Sequence, residues 1–183
     1  MAKILLLDDD PGVIAALNRL LRSQFKSEVN FSLFTDPSQA LLSVAESTYA
    51  VVVSDYTMPG MDGLSFLRRV RELQPLAVRM VLSASNEVTT VVAAVNEVGV
   101  FRYIVKPWNN DTVVQDVRAA LNQAREMQEE HSLADEARMQ HGQLSPADLE
   151  LRRLEQLEPG ITVVEWDADG SVLMPPLDAK VWK

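Results

Sequence analysis

Short apolar runs and longer amphipathic segments alternate along the first two thirds of the chain. The apolar runs are rich in β-branched residues and comprise Ile4–Leu7, Val29–Phe34, Ala50–Val53, Val78–Leu82 and Phe101–Val105. A segment with apolar residues at helical spacing follows each of them. Near-continuous apolar strands are typical of a parallel sheet that helices cover on both faces. With right-handed crossovers, the pattern predicts an α/β fold in which five βα units form a doubly wound sheet.

Residues with helix-capping chemistry precede the predicted helices. A side-chain oxygen at this position accepts a hydrogen bond from the first turn, and proline fits the position that follows it. The candidate helix starts are Asp10-Pro11, Asp36-Pro37, Asp62, Asn86 and either Asn110 or Asp111. We therefore interpret Asp10 as a helix cap rather than a metal ligand.

The helix that begins near Asp111 is expected to continue beyond the α/β part. Its apolar positions thin out over 123–141, where only a weak heptad can be written through Ala120, Ala124, Met127, His131 and Ala134. Small residues and a histidine make a poor coiled-coil seam, which favours a helical extension or linker over a coiled coil.

The C-terminal residues predict a small αββ unit. Ser145-Pro146 starts a helix that Pro159-Gly160 ends, and Ile161–Trp166 and Ser171–Met174 flank a turn that predicts a β-hairpin. About 40 residues without a disulfide or metal supply too little core to fold alone. The expected organisation is a domain at 1–124, a helical extension at 125–144 and a tail at 145–183.

Charge and cysteine content exclude several classes of site. The 183 residues carry a net charge of −9, of which 123–183 supply −7, and this acidity disfavours nucleic acid and anionic membranes as partners. With no cysteine and two histidines, thiol catalysis, cysteine-ligated zinc and three-histidine metal sites are excluded, so oxygen ligands must hold any metal. No signal peptide and no apolar run of about 20 residues is recognisable, so the expected location is cytoplasmic and not in a membrane.

Polar residues follow the predicted strands where ligands bind in open α/β sheets. Asp8 and Asp9 follow the first strand, Asp55 the third, Ser83 the fourth and Lys106 the fifth. If the strand order is 2-1-3-4-5, the first and third strands are neighbours, and the three carboxylates lie together.

Carboxylates in such an arrangement favour a hard cation. Mg²⁺ prefers oxygen ligands and leaves positions for water and a substrate phosphate. A carboxylate beside Mg²⁺ is also a possible nucleophile in phosphoryl transfer, for which Lys106 can supply positive charge and Ser83 a hydroxyl group.

The same positions carry a family resemblance. The segments Ile4-Leu-Leu-Leu-Asp-Asp-Asp-Pro11, Asp55-Tyr-Thr-Met-Pro-Gly-Met-Asp-Gly63, Ser83-Ala84 and Tyr103-Ile-Val-Lys-Pro107 resemble the receiver domain of two-component response regulators. The resemblance covers about residues 1–124 and implies a flavodoxin-like (βα)5 fold with a five-stranded parallel sheet of order 2-1-3-4-5.

The resemblance also implies a role for each site residue. Asp55 would accept the phosphoryl group from a sensor histidine kinase or phosphotransfer protein, Asp9 would ligate Mg²⁺ directly, and Asp8 would act largely through water. The backbone carbonyl of Thr57 would be a further metal ligand, and Lys106 would neutralise the phosphoryl group. Ser83 would move toward that group, and Tyr103 would turn inward as part of the switch.

The output of such a receiver is the open part of the interpretation. No motif of a second-messenger enzyme is present, so no enzymatic activity is expected beyond phosphoryl transfer to Asp55. The favoured hypothesis is signalling through a partner protein or a homodimer formed by 125–183. The alternatives are a phosphate sink or relay with no output, a receiver that is never phosphorylated, and a DNA-binding regulator. DNA binding is less favoured, because Arg152 and Arg153 are the only basic residues of the tail's helix.

Overall fold

The structure is a computed structural model and describes residues 1–84, 98–141 and 145–157. Its five strands form one parallel sheet of order β2-β1-β3-β4-β5, as the sequence predicts. The strands are β1 (Ala2–Leu7), β2 (Val29–Phe34), β3 (Val51–Asp55), β4 (Val78–Ala84) and β5 (Val100–Lys106). The described helices are α1 (Pro11–Phe25), α2 (Pro37–Glu46), α3 (Gly63–Leu73), α4 (Asn110–Gln140) and α5 (Pro146–Leu157).

Apolar side chains from the strands fill two layers, one on each face of the sheet. On β1, Ile4 and Leu6 enter the layer covered by α1 and α4, whereas Leu5 and Leu7 enter the layer covered by α2 and α3. Alternate residues of a strand point to opposite faces, so an uninterrupted apolar run serves both layers. This confirms the doubly wound α/β architecture.

Three predicted caps are confirmed, and one lies one residue away from its prediction. Asp10, Asp36 and Asp62 each accept a hydrogen bond from the backbone of the first turn of α1, α2 and α3. The cap of α4 is Asn109, whose Oδ1 accepts from the Thr112 N–H at 3.1 Å, rather than Asn110 or Asp111. Adjacent residues of similar capping chemistry made these positions hard to separate from sequence. The predicted cap Asn86 lies outside the described residues.

Helix α4 is one continuous helix of 31 residues. Ala120 and Ala124 are buried in the core layer that α1 also covers, and Met127 packs against that core. These residues belong to the weak heptad of the sequence analysis. The core of the same chain therefore covers the first half of the heptad, where a coiled-coil partner would otherwise pack.

Helix α5 folds back along the end of α4. It begins with a reciprocal cap in which Ser145 Oγ accepts from the Asp148 N–H while the Ser145 N–H donates to the Asp148 carboxylate. Arg152 of α5 donates to the buried carboxylate of Asp135 on α4 at 2.9 Å, and Arg138 donates to the same oxygen at 3.0 Å.

Asp135 lies near the end of α4 and Arg152 lies near the middle of α5, so their contact is the one expected for antiparallel helices. The predicted β-hairpin at Ile161–Trp166 and Ser171–Met174 lies outside the described residues. Within the part of the chain that the structure describes, no helix has the length and apolar character needed to cross a membrane.

Candidate functional site

Three carboxylates meet at the carboxyl end of the sheet. Leu7 of β1 pairs with Ser54 of β3, so the residues that follow these positions, Asp8 and Asp55, lie side by side. Oxygen atoms of Asp8, Asp9 and Asp55 lie within 4.8 Å of one another. Asp8 and Asp55 are buried, whereas Asp9 is exposed and leaves the cluster open on one side. The cluster predicted from the strand ends is therefore present.

Lys106 reaches this cluster from the last strand of the sheet. Its position at the end of β5 is separated from Asp55 by β4, and its long side chain crosses that strand. Lys106 Nζ lies 2.7 Å from Asp8 Oδ2 and 2.5 Å from Asp55 Oδ1. One ammonium group thus bridges two buried carboxylates.

Burial and the ion pairs set the protonation of these groups. Burial raises the pKa of Asp55, and hydrogen bonds from Lys106 and the Thr57 N–H only partly offset this. Burial by itself would lower the pKa of Lys106, but hydrogen bonds to Asp55 and Asp8 outweigh it and raise that pKa. Lys106 is therefore a permanent cation at neutral pH.

The remaining predicted residues surround the cluster. Ser83 is buried near the end of β4, one residue after Leu82, which pairs with Asp55. The Thr57 N–H donates to Asp55 Oδ2 at 3.1 Å. Tyr103 of β5 is half-buried, and its hydroxyl donates to the Ala84 carbonyl at 3.3 Å. Tyr103 is thus linked to the strand that carries Ser83.

Gly63 permits the close approach of α3 to this site, a role that the sequence analysis did not assign. A Cβ atom at this position would overlap the backbone carbonyl of Asp55, and the Gly63 N–H donates to the Tyr56 carbonyl at 2.8 Å. Any larger residue would push the loop that follows Asp55 away from the helix. In the sequence, this role is indicated by a glycine that directly follows the capping residue Asp62 and lies eight residues after Asp55.

The donor set fits a divalent cation. The site combines three carboxyl groups with the one ammonium group of Lys106, so its acidic side chains outnumber the cation three to one. Oxygen donors of this kind match the preference of Mg²⁺, and the open side at Asp9 leaves room for water or phosphate ligands. The residues of the site therefore fit a hard cation beside the buried carboxylate of Asp55.

Comparisons with known proteins agree with this geometry. Residues 4–118 match the family described as the response regulator receiver domain. The hydrogenase transcriptional regulatory protein HoxA of Cupriavidus necator is 34% identical over 151 residues, which cover 82% of this chain and 28% of that protein. HoxA of Bradyrhizobium diazoefficiens is 40% identical over 118 residues, covering 64% of this chain and 24% of that protein. The chain thus spans about a quarter of the length of these relatives.

Solved structures show the same fold. The crystal structure of an adenylate cyclase from Rhodopirellula baltica matches with a TM-score of 0.67 and 28% identity, covering 72% of this chain and 96% of that one. The signal receiver domain of an HD domain-containing protein from Pseudomonas fluorescens matches with a TM-score of 0.63 and 27% identity, covering 68% and 98%. The family match extends over more than half of the chain and contains every residue of the acidic cluster. The chain therefore belongs to the response regulator receiver domain family.

Proposed function

We propose that this chain, a receiver domain of a two-component system, accepts a phosphoryl group on Asp55. The observation that carries the proposal is the bridge that Lys106 forms between Asp8 and Asp55 at the carboxyl end of the sheet. It holds a buried carboxylate next to a fixed cation and beside two further acids. The donors are a sensor histidine kinase or a phosphotransfer protein.

The proposed reaction is a displacement at phosphorus. A carboxylate oxygen of Asp55 forms a bond to phosphorus as the phosphorus–nitrogen bond of a phosphohistidine breaks, and the imidazole nitrogen keeps the electron pair. Asp9, Asp55 and the backbone carbonyl of Thr57 would hold Mg²⁺, with Asp8 acting largely through water, and the ion would supply charge neutralisation for the transferred group.

Lys106, whose ammonium group lies beside Asp55, neutralises a further phosphoryl oxygen. The Ser83 hydroxyl then donates to the bound group, and Tyr103, already linked to Ala84 at the end of the same strand, turns inward. These movements would carry the chemical event from the carboxyl end of β4 to the surface of β5.

For the output, we propose protein–protein interaction or homodimerisation through residues 125–183, in a cytoplasmic protein. The domain limits remain those of the sequence analysis, with the receiver at 1–124, the extension at 125–144 and the tail at 145–183. Helix α4 is continuous across residues 124 and 125, so the proposed extension begins within this helix. A phosphate sink or relay without output is the second candidate.

DNA binding has some support from relatives. The DNA-binding transcriptional regulator NtrC of Salmonella typhimurium is 28% identical over 127 residues, but these cover only 26% of that protein. The similarity therefore concerns one part of NtrC. The acidic tail of this chain keeps DNA binding as the less favoured output.

Labelling with acetyl phosphate and Mg²⁺ tests the acceptor. We expect incorporation into the wild-type chain and none into Asp55→Asn. Asp10→Asn is the matched control, because Asp10 caps α1 through the Gly12 N–H and asparagine caps equally well. Labelling of Asp55→Asn at the wild-type level would show that the acceptor is a different residue.

Oligomeric state with and without beryllofluoride and Mg²⁺ tests the output. A phosphoryl-dependent dimer that is lost when 125–183 is removed supports output through this segment. A chain that stays monomeric and binds only kinase or phosphotransfer proteins in a pull-down supports the sink or relay.

A further inference from the structure

Arg79 on β4 is the one arginine that is buried among the described residues. Its guanidinium group donates to backbone carbonyls in two separate segments. Nη1 donates to Ala77 O at 2.6 Å and Pro75 O at 3.4 Å, in the segment before β4. On the other side, Nε donates to Val98 O at 3.1 Å and Nη2 to Gly99 O at 3.5 Å, directly before β5. Arg79 therefore fastens the start of β5 to the start of β4.

The pairing of these two strands is irregular next to the same arginine. Arg79 pairs with Val100, but the next residue, Met80, pairs with Arg102, so Phe101 is an additional residue in β5. Such a bulge changes the alignment of everything that follows it in the strand. Gly99 has a φ of +66°, a left-handed conformation that glycine adopts readily, and a Cβ there would lie 3.5 Å from Arg79 Nη2.

The bulge determines which part of β5 reaches the acidic cluster. In the observed register, Ser83 pairs with Val105 and Ala84 with Lys106. Without the additional residue, Val105 would lie opposite Ala84 and Lys106 would fall one position beyond. A shift of one residue also exchanges the two faces of a strand. The Lys106 ammonium would then no longer bridge Asp8 and Asp55.

We propose that Arg79 is a positioning residue for phosphoryl transfer, because its guanidinium group fixes the bulge and thereby the β5 register that places Lys106. The inference rests on the proposed function for its chemical readout, whereas the register itself can be measured independently. Arg79 acts from the opposite end of the sheet and touches none of the reacting groups.

The planar guanidinium group explains why arginine occupies this position. Its five N–H donors lie in a fixed plane and serve four carbonyls in two directions. A lysine would keep the positive charge but has a single nitrogen at the end of its side chain. Replacement by lysine therefore separates the effect of the charge from the effect of the geometry.

The test uses Arg79→Met and Arg79→Lys in the full chain. Arg71→Met is the matched control, since Arg71 is exposed on α3 yet close enough to act electrostatically on Arg79. Two quantities are measured on folded protein: the rate of acetyl phosphate labelling, and backbone nuclear Overhauser effects between β4 and β5, which report the strand register. Where Arg79→Met does not fold, Arg79→Lys provides the measurement.

We expect the labelling rate of both Arg79 variants to fall by about tenfold or more, because small misplacements of a catalytic group have effects of this size. Both variants should also show altered contacts between Ser83 and β5. Arg71→Met should behave as the wild type. A folded Arg79 variant that is labelled at the wild-type rate overturns the inference, as does slow labelling with an unchanged register. If the wild type itself is not labelled while the Arg79 variants show the altered register, the proposed function fails and the structural role of Arg79 stands.

Discussion

Replacing Lys106 with methionine tests the electrostatics of the site directly. The change removes the ammonium group and keeps a side chain of similar length. Asp8 and Asp55 then face each other without the cation that now lies 2.7 Å and 2.5 Å from their oxygens. We expect the free energy of unfolding to fall at neutral pH when no divalent cation is present, and Mg²⁺ to restore part of it.

The expected magnitude follows from the burial of the three groups. An exposed ion pair contributes at most about 1 kcal/mol, whereas removal of one partner from a buried pair costs about 3 to 5 kcal/mol. The side chains of Asp8, Asp55 and Lys106 are 2%, 7% and 24% exposed, so the site is close to the buried limit. Proton uptake by a carboxylate limits the repulsion that is left. We therefore expect a loss of about 3 kcal/mol.

Urea denaturation at pH 7, with EDTA or with Mg²⁺, measures this loss. Mg²⁺ at about 100 times its dissociation constant adds about 2.7 kcal/mol to a protein that binds it in the folded state. The gain should be larger for Lys106→Met than for the wild type, because no ammonium group competes for the carboxylates.

Lys3→Met is the control, since Lys3 is exposed and contacts only the Ser47 hydroxyl among its described partners, at 3.4 Å. A loss for Lys106→Met no larger than that of this control, or equal Mg²⁺ stabilisation of variant and wild type, would refute the account of the site as a buried carboxylate cluster that the Lys106 cation stabilises.

Three further predictions concern other parts of the structure. Burial raises the pKa of Asp55, so the folded state disfavours its charged form, and Asp55→Asn should unfold at higher urea concentration than the wild type at pH 7. This difference should shrink as the pH falls through the raised pKa of Asp55. A difference that does not change with pH would contradict the prediction. Arg152→Ala should speed amide hydrogen exchange in α5 about five- to tenfold by removing its bond to Asp135, whereas Arg153→Ala, whose partner is exposed, should leave it unchanged. Gln74→Leu should destabilise the chain by about 3 kcal/mol in thermal or urea unfolding, because this buried amide forms hydrogen bonds with three backbone groups at the end of α2 and before β3. A loss of stability smaller than that caused by the same substitution at an exposed glutamine would refute this.

The acidic cluster and the lysine could be predicted from sequence because local signals fix them. Apolar runs mark where each strand ends, and the rule that ligands bind at the carboxyl ends of parallel strands brings those ends together. Asp8 and Lys106 are 98 residues apart in the chain yet form an ion pair. Asp8 and Lys106 come together because of the strand order, and a small number of topological rules restricts that order.

The role of Arg79 could not be predicted in the same way. Its partners are backbone carbonyls, which are present at every position of any sequence. The bulge next to it leaves no mark in the pattern of hydrophobic residues along β5. The two apolar strands would be predicted equally well in either register. Only the three-dimensional arrangement shows that one additional residue, Phe101, sets the register of β5 against β4 that places Lys106 at the acidic cluster.

Asp135 was missed for a different reason. In sequence it belongs to a charged stretch that looks solvated, but it is buried because α5 returns to cover it. A signal was available: Ala124 and Met127 lie on the core-facing stripe of α4, and His131, Asp135 and Arg138 continue that stripe at helical spacing. An acid on such a stripe requires a cationic partner, and Arg152 provides it.

The packing of α4 restricts how a phosphoryl signal can reach the tail. The helix begins four residues after Lys106 and extends about 45 Å at 1.5 Å per residue. Val113, Val117 and Ala120 anchor its first half in the core. Melting this half would expose those core residues, so a signal of the proposed kind is expected to reach α5 as a shift of the whole helix rather than as local melting.

A partner of the extension meets the same restriction. The stripe of α4 that could pair with another helix is covered first by the core and then by α5. Leu133, Leu151 and Leu154 remain exposed on the outer faces of the two helices. Among the described residues, a partner that binds α4 and α5 without displacing α5 would use these outer faces, whereas one that pairs along the stripe must first break the contact between Asp135 and Arg152. Hydrogen exchange in α5 on partner binding distinguishes the two modes, since only the second exposes the amides of this helix.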